Sequence, residues 1–294
     1  MAEDHRRFRA GLMLGLGAFL AWGVLPLYFK AIAEVDPVEI VAHRIVWSLV
    51  FLAGLATLWG RWPAIRAAVT TGRGVLTLIL TALLIGVNWL VFIYAVVSGH
   101  VLEGSLGYYL NPLVNVLLGV VLLKERLTRA QVLATVLAAA GVAVLAAGAG
   151  SGLWISLTLA ATFALYGFLR KVAPVDSLEG LSVETALLTP LAAGWLVWLH
   201  FQGELDFRDF GLGVDALLVL GGAVTAIPLL LSTAAARRLP YSRPGFLPYI
   251  PPLLQVLSFE EPLRAPHVVC FGAIWTALAM FSFEGVRAAR ARAR

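Results

Sequence analysis

Apolar residues dominate ten segments of the chain, and each segment approaches the roughly 20 residues that carry a helix across a bilayer. Glycine, proline or clusters of charged residues separate the segments. Backbone groups inside hydrocarbon must pair within their own segment, so each run is expected to form a helix rather than a lone strand. The pattern predicts an all-α integral membrane protein with ten transmembrane helices. Their approximate bounds are 9–30, 38–59, 74–97, 101–123, 129–148, 152–170, 180–201, 213–236, 242–259 and 267–286.

The first predicted helix also has features of a secretory signal peptide. Arg6, Arg7 and Arg9 precede the apolar stretch, and the Ala-Ile-Ala sequence at 31–33 resembles a signal-peptidase site. The apolar stretch at 10–29 is, however, longer than the roughly 7–15 residues of a signal-peptide core. We therefore interpret this segment as a retained transmembrane helix.

Composition supports the membrane assignment. Of the 294 residues, 60% are apolar and 13% are charged, whereas about a quarter of a soluble domain is charged. The one cysteine, Cys270, excludes an intramolecular disulfide framework. The sequence contains no glycine-rich phosphate loop, metal-ligand cluster or nucleophile elbow, so we expect no cofactor and no catalysis. Active transport would then have to draw on an ion gradient or on the gradient of the solute.

The distribution of basic residues predicts the orientation. A net charge of +5 and a pI near 9.7 also occur in nucleic-acid-binding proteins, so the positions of the 22 Lys and Arg residues decide. With the N-terminus inside, eighteen fall on the inner side, Lys30, Arg208 and Arg264 fall outside, and Arg44 lies within a helix. This asymmetry predicts a multi-pass cytoplasmic-membrane protein with both termini cytoplasmic and no nucleic-acid partner. The basic tail after Gly285 is expected to contact lipid headgroups.

Two short segments recur about 140 residues apart. Residues 109–117 (YLNPLVNVL) and 249–257 (YIPPLLQVL) share five of nine residues and one Asn/Gln exchange. A weaker match relates residues 19–23 (FLAWG) to 163–167 (FALYG). Chance similarity between apolar segments is the alternative, but the repeated Tyr and Asn/Gln positions argue against it. The recurrence predicts two five-helix repeats, 1–148 and 149–294.

An odd number of helices in each repeat makes the second enter the membrane from the opposite side, so the repeats are expected to be inverted. Inverted repeats with interrupted helices are typical of transporters that alternate between inward-open and outward-open shapes. The predicted interruptions are Pro112 in the fourth helix and Pro248, Pro251 and Pro252 in the ninth.

Three segments resemble a known family: residues 39–44 (EIVAHR), 88–89 (NW) and 102–115 (LEGSLGYYLNPLVN). On these residues, and over nearly its whole length, the chain resembles RarD-type members of the EamA branch of the drug/metabolite transporter superfamily. The resemblance implies ten helices, two EamA repeats, and export-type or permease activity on poorly defined substrates, in proteins often labelled chloramphenicol-sensitive.

Two features depart from that family pattern. Lys124-Glu125 stands where the family has Gly-Glu at the end of the fourth helix. Pro112 precedes Glu125 by 13 positions, whereas Pro252 precedes Glu260 by only eight. The ninth helix is therefore expected to be at least a turn shorter than its counterpart, and barely long enough to span a bilayer.

Two ionisable residues lie about one turn inside the second predicted helix. Inside a membrane such groups usually face a cavity or a partner. His43 is a candidate for proton coupling and Arg44 for gripping a carboxylate or phosphate of the solute. The alternative is an interfacial pair, with Arg44 reaching the headgroups or pairing with Glu39 or Glu103.

Glu103 begins the fourth predicted helix, where it is expected either to interact with the helix dipole or to act in gating as a partner of His43. Neutral polar and aromatic residues in helices three and four predict a lining for a polar or aromatic solute. Interhelical hydrogen bonding uses the same residue types and is the alternative. The candidates are Asn88, Trp89, Tyr94, Tyr108, Tyr109, Asn111 and Asn115. By the repeat, their counterparts in the interior are Trp22, Tyr166, Tyr249 and Gln255.

These features predict a secondary transporter that moves a small polar or amphipathic solute by alternating access. The alternative is a membrane enzyme acting on lipid or lipid-linked substrates, with His43, Arg44 and Glu103 as its polar centre. A sensor or scaffold is disfavoured, since no extramembrane domain was identified to transmit a signal. Small residues recur every four positions in the fifth helix, which is typical of close helix packing or of a homodimer contact. They are Ala139, Ala143 and Ala147.

Overall fold

The computed structural model describes residues 2–70, 72–98, 100–147, 152–239 and 266–280, the last range without 267, 271 and 278. The described residues form helices joined by short connections, and no strand occurs among them. The helices are α1 (Ala2–Lys30), α2 (Pro37–Leu58), α3 (Trp62–Ala68), α4 (Gly72–Val97), α5 (Val101–Val121), α6 (Arg129–Ala146), α7 (Leu153–Val172), α8 (Ser177–Gln202) and α9 (Leu212–Ala236). Residues 266–280 are helical wherever they are described.

Six of the described helical segments are long and apolar enough to cross a membrane, and three shorter apolar helices accompany them. This confirms the prediction of an all-helical, multi-pass membrane protein. The first eight predicted segments each coincide with a helix. The ninth, 242–259, and part of the tenth, 267–286, lie outside the described residues. The count of ten helices and their inverted arrangement stay predictions.

Helix α3 is missing from the sequence prediction. It has seven residues, begins at Trp62 with a proline in its first turn, and contacts α8. Proline is tolerated there because the first N–H groups of a helix have no intrahelical partner. Seven residues rise only about 10 Å, so α3 cannot cross a bilayer and belongs to the connection between α2 and α4.

Helix α5 continues through Pro112, which was predicted to interrupt it. Proline lacks an N–H group, so one carbonyl of the preceding turn loses its intrahelical partner while the helix keeps its course. Helices α8 and α9 contain Pro190 and Pro228 in the same way. The interruption therefore affects the hydrogen bonding of these helices rather than their continuity.

Helix α2 packs against both α8 and α9, while α1 packs against α9 and α4 packs against α7. Apolar side chains from these elements meet in one core that includes Leu52 of α2, Ile85 of α4, Tyr166 of α7, Leu181 of α8 and Leu229 of α9. Large apolar side chains on the outer faces of α4 and α8, such as Leu90 and Leu191, are exposed. Extensive exposed apolar surface is rare on soluble proteins and is expected for helices in lipid.

The contact between α2 and α9 depends on a glycine. A Cβ atom at Gly222 would overlap the backbone of Trp47 and Ser48. The hydroxyl of Ser48 donates to the Gly222 carbonyl oxygen at 3.0 Å. The two backbones therefore approach closely, which brings the first half of α2 against the middle of α9 and positions the site described next.

Candidate functional site

Arg44 of α2 lies between three other helices. Its Nε donates to the Thr225 hydroxyl of α9 at 2.7 Å. The guanidinium carbon lies 5.2 Å from the ring centre of Phe29 on α1 and 5.7 Å from that of Trp89 on α4, within range of cation–π attraction. The side chain is 9% exposed. Arg44 is therefore enclosed by protein rather than extended along a lipid-facing surface.

The helix opposite Arg44 leaves room for it at a glycine. A Cβ atom at Gly221 of α9 would lie 3.1 Å from Arg44 Cγ and 2.6 Å from the Tyr28 hydroxyl oxygen. Tyr28 in turn donates to the Leu217 carbonyl oxygen at 3.1 Å. Arg44 and Tyr28 thus occupy the space that a side chain at Gly221 would fill, so α1 and α2 both contact α9 through these two side chains.

His43 is buried beside Arg44, with a defined proton position. The Trp47 indole nitrogen, which can only donate, lies 3.3 Å from His43 Nδ1. Nδ1 is thus the acceptor, and the neutral ring carries its hydrogen on Nε2, 3.4 Å from Glu39 Oε1. The ring stacks on Phe207 with centroids 5.1 Å apart. A second proton could bind only at Nδ1, and it would break the hydrogen bond to Trp47.

Glu39 forms hydrogen bonds with the connection between α8 and α9. Its carboxylate is fully buried and accepts the backbone N–H groups of Asp206 at 2.9 Å and Phe207 at 3.1 Å. The Asp206 carboxylate accepts the Asp36 N–H at 2.8 Å, just before α2. We call the contact of Glu39 with residues 206–207 the α2 tether. Sequence reasoning considered Glu39 only as a partner of Arg44.

A similar contact lies at the start of α8. Glu179 accepts a hydrogen bond from Arg61 Nε, at 2.6 Å, and Arg61 follows α2. Asp176, just before α8, lies 3.4 Å from Arg61 and 3.1 Å from Arg237. We call the contact of Glu179 with Arg61 the α8 tether. Because each tether joins the start of one helix to the connection after the other, α2 and α8 run antiparallel.

The candidates on α4 occupy different surroundings. The Trp89 ring lies against the Arg44 guanidinium, as described above. Asn88 donates to the Leu159 carbonyl oxygen at 3.0 Å and to the Thr162 hydroxyl at 2.8 Å, so it makes the interhelical hydrogen bonds named as the alternative. Tyr94 is 49% exposed and packs its ring near His100 and Trp154. Tyr94 is therefore not part of the buried surroundings of Arg44.

Two candidates on α5, Glu103 and Asn111, contact α7. The Glu103 side chain lies against Gly152 at the start of α7, where a Cβ atom would be 2.6 Å from Glu103 Cγ. This places the carboxylate near the N-termini of α5 and α7, where helix dipoles favour a negative charge. Asn115 donates to Asn111 at 2.9 Å, and Asn111 Nδ2 lies 3.5 Å from the Ala160 carbonyl oxygen.

The remaining candidates are only partly described. Trp22 packs edge-on against Phe19 and Phe163 beside the central core. Tyr166 is buried and donates to Glu184 at 3.2 Å. Tyr108 and Tyr109 belong to α5, but their side chains lie outside the described residues, as do Tyr249 and Gln255 altogether.

Sequence reasoning missed a second buried ionisable group. Arg170 was counted with the charges of the inner side, and Glu184 was not singled out, yet both are buried and face each other. The available signal was an acidic residue in the first turns of the predicted span 180–201. A buried charge usually has a partner or a function, which makes this pair a second candidate site.

Comparison with known proteins identifies related chains over nearly the full length. The profile of the EamA-like transporter family matches residues 9–147. An uncharacterized transporter of Pseudomonas aeruginosa is 46% identical over 96% of this chain and 96% of its own length. Protein RarD of Escherichia coli (strain K12) is 40% identical over 96% of this chain and 97% of its own length. A solved crystal structure with 19% identity superimposes with a TM-score of 0.69, covering 94% of this chain and 98% of its own, and shares the fold.

Proposed function

The chain belongs to the EamA-like transporter family, as a RarD-type member of the drug/metabolite transporter superfamily, and we propose that it moves a small polar or amphipathic solute by alternating access. The observation that carries the proposal is Arg44, a buried cation flanked by Phe29 and Trp89. A guanidinium presents a fork of donors to a carboxylate or phosphate, and aromatic rings offer flat apolar surfaces. The preferred solute is therefore an anion with an apolar or aromatic part.

Helix packing supports the inverted repeat of ten helices, with 1–148 and 149–294 as its halves. If α1 corresponds to α7, α2 to α8 and α4 to α9, the contact of α1 with α9 has its counterpart in that of α7 with α4. Helix α2 then meets its own counterpart α8, as expected on a two-fold axis. Such an arrangement allows two near-equivalent halves to exchange inward-open and outward-open shapes.

The charge asymmetry supports a cell-membrane protein with both termini cytoplasmic. Reporter fusions after Arg294 and in the connection near Asp206 are expected to report opposite sides of the membrane. Both fusions on the same side would rule out the ten-helix topology.

Transport is tested by reconstituting the protein in liposomes and screening the uptake of amino acids, organic anions and amphipathic drugs, with and without a pH gradient. We expect anionic amphipathic solutes to enter protein-containing vesicles faster than protein-free vesicles. Uptake of cations alone would overturn the role proposed for Arg44, and the absence of uptake for every solute class would overturn the proposed function.

A further inference from the structure

A second buried ionisable cluster lies where α4, α7 and α8 meet. Arg170 of α7 and Glu184 of α8 are 0% and 1% exposed, and Arg170 Nε lies 3.5 Å from Glu184 Oε1. The Tyr166 hydroxyl donates to Glu184 Oε2 at 3.2 Å, and the Thr81 hydroxyl oxygen lies 2.5 Å from Oε1. Glu184 is the eighth residue of α8, about 10 Å from the start of the helix. A carboxyl group at this depth is costly and usually serves a function.

Thr81 can satisfy Glu184 in both protonation states. A hydroxyl has one hydrogen, which rotates, and two acceptor lone pairs. When Glu184 is ionised, Thr81 donates its hydrogen to the carboxylate. When Glu184 carries a proton, the acid donates to the Thr81 oxygen, whose own hydrogen turns to the Leu78 carbonyl oxygen 3.1 Å away. The site can therefore gain and lose a proton without leaving the hydroxyl unpaired.

Arg170 is positioned independently of Glu184. Its Nη2 donates to the carbonyl oxygens of Asp176 at 3.2 Å and Ser177 at 3.1 Å. Its Nε and Nη1 have no hydrogen-bond partner among the described residues. Protonation of Glu184 removes a charge 3.5 Å away but leaves the bonds that hold the guanidinium. A bidentate pair, in which both nitrogens bonded the carboxylate, would resist protonation more strongly.

Among the residues that the structure describes, few other groups compete for a proton in this cluster. Arg170 is the charged group beside Glu184, and Tyr166 is its titratable neighbour. Thr81, from α4, is uncharged. The other packed elements contribute Leu52 of α2 and Leu229 of α9, the exposed Arg66 of α3 and, on α8 itself, Glu179, which is paired with Arg61. A titration within this cluster is therefore assigned to the Glu184 carboxyl.

We propose that Glu184 is a proton-binding site that couples solute movement to a proton gradient. This inference rests on the transport function proposed above. The carboxylate takes a proton from water on one side of the membrane, becomes a carboxylic acid, and releases the proton on the other side, so no further reactant is required. Protonation removes the charge attraction between Arg170 of α7 and Glu184 of α8, while the bonds from Arg170 to the start of α8 remain. Arg44, on a different helix, keeps its proposed role in solute binding.

The first test uses the proton as the probe and needs no transport. Infrared difference spectra of the purified whole chain over a pH titration report the C=O stretch of a protonated carboxyl group. We expect a band that is present in the wild type and in a Glu179→Gln control and lost in Glu184→Gln. Identical spectra for the wild type and Glu184→Gln would overturn the proposal.

A second variant covers the case in which Glu184→Gln fails to fold. Tyr166→Phe keeps the carboxyl group and removes one donor to its ionised form, so the band should appear at a pH about one unit higher. An unshifted band in this variant would assign the titration to another group and overturn the proposal.

Coupling is then measured in liposomes with the amino acids, organic anions and drugs of the uptake screen. Glu184→Gln should lose most of the roughly tenfold accumulation that a gradient of about one pH unit can drive, yet keep solute exchange at equal pH. Unchanged accumulation, or loss of exchange as well, would overturn the coupling role. If the wild type moves no solute, the proposed transport function fails, whereas the infrared titration still decides whether Glu184 binds a proton.

Discussion

The start of α2 and the start of α8 are built on the same frame. Each helix is preceded by an aspartate, Asp36 or Asp176, and each has a glutamate three residues later, Glu39 or Glu179. Glu39 of α2 binds the connection after α8 in the α2 tether, and Glu179 of α8 binds the connection after α2 in the α8 tether. Each end of the antiparallel pair is thus held by a glutamate from the first turn of one of the two helices.

The same two helices differ in the charge that they bury. Eight residues after the aspartate, α2 carries Arg44, bonded to Thr225 of α9, and α8 carries Glu184, bonded to Thr81 of α4. The two helices therefore share a frame at their starts but differ in the chemistry of the residue that they bury. In the proposed mechanism the cation of α2 binds the solute and the acid of α8 binds the proton.

The largest effect is expected at Arg44. Arg44→Lys keeps the charge but replaces a fork of donors by a point charge, so uptake should fall by about tenfold or more. Arg208→Lys is the matched control, because Arg208 is exposed, and it should transport normally. Both variants are compared at equal amounts of reconstituted protein. Normal uptake by Arg44→Lys would remove Arg44 from the solute site and leave α2 without an assigned role in transport.

The helices were predictable from the sequence because a span needs a long apolar run, and such runs are visible without tertiary information. Helix α3 was not, since seven residues with an early proline carry no such signal. The burial of Arg170 was also hidden. Beside Lys171 it looks like part of a cytoplasmic cluster, and its burial becomes visible only where the first turns of α8 bring Ser177 and Glu184 to its guanidinium.

The next effect concerns stability and should differ between the tethers. Glu39→Ala leaves two backbone N–H groups without their acceptor and should lower the free energy of unfolding by about 2 kcal/mol. Glu179→Ala should cost about 1 kcal/mol or less, because the side chain of Arg61 is 42% exposed and water can solvate it. Thermal unfolding in detergent, with both variants in one buffer, measures the difference.

The dependence on ionic strength tests the same comparison between the two tethers in a second way. The α8 tether joins two side-chain charges, whereas the α2 tether joins a carboxylate to uncharged N–H groups. Raising the ionic strength should therefore reduce the cost of Glu179→Ala more than the cost of Glu39→Ala. Equal costs for the two substitutions at every ionic strength would mean that the tethers are energetically equivalent.

Within the candidate site, residue types alone could not separate solute contacts from interhelical hydrogen bonds. Asn88 and Trp89 are adjacent in the sequence, yet Asn88 bonds α7 and Trp89 faces Arg44. Adjacent helical residues point about 100° apart, so their roles depend on which neighbour each meets. Glu184 lies outside both repeated segments, and its position in the first turns of a predicted span does not by itself show that it is buried beside Arg170.

The smallest effect is expected at His43. Glutamine can accept the Trp47 indole hydrogen and present an N–H group toward Glu39, as the neutral imidazole does, but it cannot take a second proton. His43→Gln should therefore exchange solute within about twofold of the wild type at neutral pH, where the unperturbed imidazole is mostly uncharged. In acid, an imidazolium must give up the Trp47 bond and would place a cation beside Arg44, so exchange by the wild type should change while the variant stays flat.

The measurement of the His43 effect is exchange at equal pH on both sides of the membrane, which removes any proton gradient acting through Glu184. The variant Trp47→Phe makes this measurement more specific. Without the indole donor, His43 Nδ1 is free to take the proton, so the change in solute exchange should begin at a higher pH than in the wild type. If all three proteins share one pH profile, His43 is a structural link between Trp47 and Glu39. Proton binding would then be assigned to Glu184 of α8 and solute binding to Arg44 of α2.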